Sequence, residues 1–151
     1  MLKVLTILIT TSFSLSFGDS LLSTKYDVEI LRDTWGVPHI YGVTDKDVAF
    51  GFAFAHSEDD FKTIQDVVLQ TRGELSSIYG KATLPIDYLT NLLRVRENVE
   101  QNYDKLISSE VKDIIEAYVD GLNYYSSLNP SEAIDEIGQI TANFINSLTW
   151  I

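Results

Sequence analysis

Arg32-Asp33-Thr34-Trp35-Gly36-Val37-Pro38-His39-Ile40-Tyr41 decides the fold of this chain, because it sets a tight turn between two runs of strand character. Upstream, Tyr26, Val28 and Ile30 alternate with Asp27 and Glu29, the period of a half-buried strand. Asp33 to Gly36 breaks that run and Val37 to Tyr41 resumes it, so residues 25–42 predict a β-hairpin. Pro38 has no N–H to give to a sheet ladder and belongs at a strand start or on an edge. His39, beside it, reads as buried.

Downstream the period changes. Thr44-Asp45-Lys46-Asp47 places a hydroxyl three residues before an acid, the pattern that satisfies the free amides of a helix start. The helix it opens alternates Ala49, Gly51, Ala53 and Ala55 with Phe50, Phe52 and Phe54, and such small residues let another element approach the backbone closely. That alternation leaves a strand open for Ala49 to Ala55; the capping pattern favours a helix, continued by Phe61, Ile64, Val67 and Val68 and stopped by Gly73. A short turn or helix from Leu75 to Tyr79 ends at Gly80. Pro85 opens a third helix carrying Leu89, Leu92, Leu93 and Val95 on one side. Ser108 or Ser109 caps the next, where Val111, Ile114, Ile115, Tyr118, Leu122 and Tyr125 recur at three-four spacing. Asn129-Pro130 stops it, and Ser131 is expected to cap a final helix through Ile134, Ile137, Ile140, Phe144, Ile145 and Leu148.

Before the hairpin, Lys3, an apolar stretch from Val4 to Phe17 and the small residues Ser16 and Gly18 form a signal-peptide pattern, so residues 1–18 are expected to be removed on export to the periplasm or medium. The stretch is shorter than the roughly 20 apolar residues a membrane span needs, and no stable membrane anchor is expected. Residues 19–151 would then be one partial domain. With 11 basic against 22 acidic residues the net charge is −11, which excludes nucleic acid as an expected partner. The absence of cysteine excludes disulfides, thiolate metal sites and a cysteine nucleophile.

Two short motifs invite chemistry. Gly18-Asp19-Ser20-Leu21 matches the nucleophile block of the lipases and esterases named after that tetrapeptide. A serine of that kind needs a histidine base three positions after an aspartate, whereas Gly36 and Ala53 stand three before His39 and His56. A signal cleavage site explains the same residues. His56, Asp59 and Asp60 would share one face of a helix, as metal ligands can; one imidazole with two carboxylates is a weak signature, and a solvated turn of the helix explains it more simply.

The hairpin motif, together with Asp47-Val48-Ala49-Phe50-Gly51-Phe52-Ala53-Phe54-Ala55-His56-Ser57-Glu58-Asp59, Arg72-Gly73-Glu74-Leu75 and Ala117-Tyr118-Val119-Asp120-Gly121-Leu122-Asn123, resembles the start of the penicillin amidase family, in the order that family shows them. The wording Glu58-Asp59-Asp60-Phe61 is as similar to its acyl-homoserine-lactone and lipopeptide acylases as to its penicillin acylases. Asp60 stands where many members carry arginine. The resemblance runs from Lys25 to Pro130 and fades beyond Ser131.

That resemblance implies an α+β fold: an N-terminal β-hairpin followed by several helices, forming part of the αββα sandwich of an N-terminal-nucleophile hydrolase. In such enzymes a precursor cuts itself, and the freed serine of the β-subunit attacks an amide with its own α-amine as base. The matching residues here correspond to the α-subunit, so the chain is expected to need a β-subunit partner. No catalytic, cofactor-binding or metal residue carries over onto it, and a calcium ion would belong to the complete enzyme. Arg32, Asp33, Gly36, Pro38, His39 and Gly51 are expected to serve the scaffold. A free helical binding module, or an esterase using Ser20, remain the alternatives. The acyl substrate, whether penicillin or another N-acyl compound, is not legible.

Overall fold

The computed structural model describes residues 25–141, so the expected signal segment, Ser20 and the end of the expected last helix lie outside the described residues. Strands β1 (Val28–Arg32) and β2 (Pro38–Gly42) form the antiparallel hairpin. Five helices follow: α1 (Asp45–Arg72), α2 (Leu75–Tyr79), α3 (Leu84–Leu92), α4 (Val95–Leu106) and α5 (Ser109–Leu128). A 3-10 turn at Gly80–Thr83 joins α2 to α3.

Pairing of Val28 with Gly42, Ile30 with Ile40 and Arg32 with Pro38 sets the hairpin register. Pro38 opens β2, where its missing N–H costs nothing. Gly36 takes φ +82, a conformation L side chains avoid. His39 is exposed rather than buried, because the face of the hairpin that meets the helices carries Val28, Ile30 and Ile40 and its own side chain alternates to the other.

Helix α1 begins as its sequence predicts. Thr44 accepts a hydrogen bond from the Asp47 N–H, and Asp47 reaches back to the Thr44 N–H at 2.8 Å, closing a capping box. At its far end Gly73 adopts φ +68 and its N–H returns to the Gln70 and Leu69 carbonyls. Midway the helix breaks phase: Asp60 has φ −157 and ψ 60, and its carboxylate accepts from the Thr63 N–H at 3.2 Å. Asp60 therefore caps the second half of α1.

The core lies where α1 and α5 run side by side in the same direction, Lys46 meeting Asp113 near their starts and Phe61 meeting Tyr125 further on. Leu69 and Leu122 are fully buried at its centre with Ala53, Val68 and Val119. A Cβ on Gly121 would collide with the Phe50 carbonyl oxygen and stand 2.8 Å from the Ala53 Cβ, so the helices touch nearly backbone to backbone. Gly51 does the same for the hairpin: a Cβ there would meet Val28 at 2.5 Å and Ile40 at 2.9 Å. A second cluster, Tyr26, Phe50 and Ala117, seals the other side of the crossing, with Tyr26 stacked on Phe50 at 4.5 Å.

Two further expectations fail. The third helix does not carry Leu89 to Val95 on one side: it stops after Leu92, Arg94 turns left-handed at φ +52, and Val95 begins a separate helix in which it is buried while Leu89, Leu92 and Leu93 are exposed. The stretch from Ser131 onward, as far as it is described, is a strap of turns rather than a helix. Its backbone closes short turns, such as the Ile137 N–H to the Ile134 carbonyl at 3.0 Å, and other backbone groups bond to side chains of the helices. Gln65 accepts from the Ile134 N–H at 2.6 Å and donates to the Glu132 carbonyl at 3.0 Å, and Asn123 accepts from the Ile140 N–H and donates to its carbonyl. Arg72 donates to the Ile137 carbonyl, so Ile137 and Ile140 are buried without helical backbone.

Gly121→Ala tests the crossing. Helix propensity alone would stabilise it by about 1 kcal/mol, but the added methyl must push α5 off α1, and a net loss of about 1–2 kcal/mol in urea unfolding is expected. A stabilised variant would contradict the close approach.

Candidate functional site

Arg32 ends β1 and points its guanidinium across the hairpin turn onto α1. It donates to the Gly36 carbonyl at 2.8 Å and to the Ala55 carbonyl at 3.2 Å, and forms ion pairs of 2.9 Å with both Glu58 and Asp59. One planar fork thus joins strand, turn and helix, a task the single ammonium of lysine cannot match. Glu58, and after it Asp59, hold the guanidinium above its already high ordinary pKa.

Asp33 organises the turn from inside. Its carboxylate accepts from the Trp35 N–H at 2.8 Å and the Val37 N–H at 3.0 Å, and these bonds lower its pKa. His39 Nε2 lies 3.4 Å from the same carboxylate. Asp47 plays the matching part at the helix start. Beyond the capping box it accepts from the Asp27 N–H at 3.0 Å, and the Thr44 hydroxyl, followed by that amide, lowers its pKa.

His56 is engaged away from the acids. Its Nδ1 lies 3.0 Å from the Tyr118 hydroxyl and its ring stacks on Phe52 at 5.9 Å. Asp59 belongs to Arg32 and Asp60 to Thr63, so the residues expected on one metal-binding face are drawn to three separate partners. The break at Asp60 takes that residue out of the helical phase, while Arg32 draws Asp59 and Tyr118 engages His56. Among the described residues no three His, Cys, Asp or Glu side chains come together in a way that could hold a metal ion. Burial leads in raising the Tyr118 pKa, which keeps its hydroxyl a hydrogen-bonding neutral group.

An open groove of about 850 Å³ lies between the hairpin base and α5, lined by Lys25, Tyr26, Lys46 and Asp113 among others. Its cations are spent: Lys25 pairs with Asp120 at 2.6 Å and Lys46 with Asp113 at 3.0 Å. Tyr26, its pKa pushed up to about 12 with burial the leading cause, donates to Asp120 at 2.7 Å and so cannot serve as a base near neutrality. Ser57, almost wholly buried, donates to the Ala53 carbonyl at 2.8 Å. Neither described histidine is hydrogen-bonded to a serine or threonine, and Asp33, Asp47, Glu58, Asp59 and Asp120 are held by backbone amides, cations or hydroxyls. What this geometry builds is a braced scaffold. Sequence reasoning missed Gln65 and Asp87, and read Tyr118 and Asn123 only as part of a stripe or motif; their polar partners are distant in the chain and leave no local signal.

The chain's relatives bear on what such a scaffold serves. The family model described as penicillin amidase matches residues 27–142, extending past the Pro130 at which the visible motifs end. The chain is 26% identical over 98 residues to penicillin acylase 2 proenzyme of Pseudomonas sp. (strain SE83), a match covering 65% of this chain and 12% of that protein. It is 26% identical over 112 residues to the acyl-homoserine lactone acylase PvdQ of Pseudomonas fluorescens (strain Pf0-1), covering 68% of this chain and 14% of that protein. Among solved structures it resembles a thermostable penicillin G acylase from Alcaligenes faecalis, with TM-score 0.64 and 18% identity over 82% of this chain and 70% of that one, a likeness of fold. The chain spans only about an eighth of the length of the curated relatives.

Replacing Arg32 by lysine is expected to speed hydrogen exchange of the hairpin amides roughly fivefold, the equivalent of about 1 kcal/mol, while α5 amides keep their protection; equal loss in both would mean Arg32 acts globally. The lowered pKa values of Asp33 and Asp47 contribute stability above the unfolded-state value of about 3.9, and that contribution disappears as pH falls through their lower folded values. Thermal melting should therefore hold steady from about pH 6 to 5 and drop below about pH 4, with a shallower drop in Asp47→Asn.

Proposed function

The chain belongs to the penicillin amidase family, and on that footing we propose that it is the N-terminal, α-subunit portion of an exported N-terminal-nucleophile amidohydrolase that cleaves linear amides of penicillin or N-acyl type. The observation that carries this reading is a family match across nearly all the described residues in a chain that spans 12% and 14% of two acylase relatives. One of those relatives is named a proenzyme. The named relatives act on penicillins or acyl-homoserine lactones, which share an acyl group joined to nitrogen and differ in what the acyl pocket must fit.

In this reading the reacting serine, its amine base and the donors for the oxyanion come from the β-subunit partner. The present chain supplies the platform on which they are held. Arg32 and Asp47 fix the hairpin to α1, and Gly51 and Gly121 let the layers approach closely enough to keep that platform rigid. A calcium ion of the complete enzyme would find no converging set of three carboxylates among the described residues, and no step here runs through one. A free helical binding module is the second reading, favoured by the wide apolar surface left on α3.

Chain alone and chain expressed together with the coding sequence that follows it should be compared for amine release from penicillin G and from an N-acyl-homoserine lactone. Hydrolysis only in the second preparation is expected. Turnover by the chain alone would sink the idea of an incomplete site, and no turnover in either would favour the binding module.

A further inference from the structure

The strap from Glu132 to Ile140 is held by the helices as a peptide ligand is held, through side chains that read its main chain. Gln65 of α1, itself almost wholly buried, accepts from the Ile134 N–H at 2.6 Å and donates to the Glu132 carbonyl at 3.0 Å. Asn123 of α5 accepts from the Ile140 N–H at 2.9 Å and donates to the carbonyl of the same residue at 2.8 Å, so one amide side chain takes up both main-chain groups of one residue. Arg72, in the last turn of α1, donates to the Ile137 carbonyl at 2.8 Å. Tyr125 adds a side-chain bond at the start of the strap, donating to the Glu132 carboxylate at 3.0 Å. The bonds of Gln65, Asn123 and Arg72 need a main chain outside a helix and ask nothing of the side chains it carries.

Side-chain selection comes from every third position. Ile137 and Ile140 are buried in one cluster with Leu69, Val119 and Leu122, and Ile134 packs against it. Asp135, Glu136, Gly138 and Gln139, which stand between them, are exposed. The groove that receives the isoleucines takes its shape from contacts the strap does not make. Gly121 against Phe50 and Ala53, Tyr26 stacked on Phe50 and Phe61 against Tyr125 hold α1 and α5 together without any residue of 132–140. A segment bonded in this local way can open as a unit while the body beneath it stays folded. An emptied groove would leave the buried Gln65 carbonyl oxygen without the Ile134 N–H and its apolar cluster open to water, so any peptide that restores both is favoured there.

We propose that the groove between α1 and α5 is a peptide-binding site, that the strap is its exchangeable occupant in cis, and that it takes in trans a short non-helical peptide with apolar side chains at every third position. Gln65 and Asn123 supply affinity through the peptide main chain, and the pockets of Ile134, Ile137 and Ile140 supply the spacing. Residues between the apolar positions face water and are free to vary. Because the strap is tethered, its local concentration far exceeds that of a free peptide, and the site stays closed until the strap is weakened or displaced. The site goes beyond the amidase reading and does not depend on it.

The probe is a fluorescein-labelled synthetic peptide with the sequence of residues 131–141, titrated into the full chain and followed by fluorescence anisotropy. In the full chain carrying both Ile137→Asp and Ile140→Asp, which removes the anchors of the strap and leaves the groove intact, the peptide should bind at least about tenfold more tightly than to the unaltered chain, whose groove is filled. It should also raise the melting temperature of that variant. Adding Asn123→Leu should weaken binding about tenfold, because both main-chain bonds to one residue are lost. Equal binding to the unaltered chain, or equal binding of a peptide with aspartate at both isoleucine positions, overturns the proposal. Should the double variant alone show no cooperative melting, saturating peptide is expected to restore it, and failure to restore it overturns the proposal too. Hydrogen exchange in the unaltered chain gives a second measurement. The Ile134 and Ile140 amides should share protection factors at least about tenfold below those of Leu69 and Leu122, whereas protection equal to theirs would make the strap an inseparable part of the core and end the proposal. Neither measurement reads amide hydrolysis, so this site and the amidase reading fail separately.

Discussion

The contact on which the rest depends is the near-touch of two helix backbones where Gly121 of α5 meets Phe50 and Ala53 of α1. Dispersion falls off steeply with distance, so a methyl-width gap there would loosen every larger side chain around it, from Leu69 and Leu122 on one side to Tyr26 and Phe50 on the other. Gly51, one residue past Phe50, faces away from α5 and receives Val28 and Ile40 of the hairpin. A single helical turn of α1 is therefore clasped from two directions. The aromatic residues among its small ones, Phe50 and Phe54, fill the flanks of that clasp against Tyr124 and Tyr125.

The polar groups work in the same frame. Arg32 and Asp47 sit at opposite ends of the first half of α1, one reaching the helix from the turn of the hairpin and the other from its base. Between them they determine how the hairpin lies on the helix, while Asp60 frees the second half to follow its own direction. Among the acids, Asp33, Asp47, Asp60 and Asp87 hold backbone amides, Glu58 and Asp59 hold Arg32, and Asp66, Asp104, Asp113 and Asp120 pair with lysines.

Local rules were legible in the sequence where their physics is local. The capping box at Thr44 and Asp47, the left-handed stop at Gly73, the proline at the head of β2 and the helix that Ser108 caps all depend on neighbours within a few residues, and each is where its pattern placed it, although Val111 of the expected α5 stripe is exposed. The small residues of α1 announced a close approach without saying by what. Failures came where a distant partner decides. The spacing of Ile134, Ile137 and Ile140 suits a helix as well as a chain of turns, and Gln65, Arg72 and Asn123, far away in sequence, select the turns. The stripe of Leu89 and Leu92 was visible too, but amphipathicity says that a helix has two faces, not which one is inward; Asp87 settles that through amides eleven and twelve residues before it. The same limit hid the site: His56 and Tyr118 meet across sixty-two positions.

The strap from Glu132 to Ile140 has a consequence for the order of events during synthesis. Its two sockets, Gln65 and Asn123, stand on different helices and exist at their final spacing only after α1 and α5 have closed on each other. Everything before the strap must therefore emerge and dock first, and α1, made early, waits for α5 with its apolar residues uncovered. The strap is a latch in time as well as in space: it can engage only a finished helix pair, and a nascent chain that has engaged it has left its most aggregation-prone stage behind.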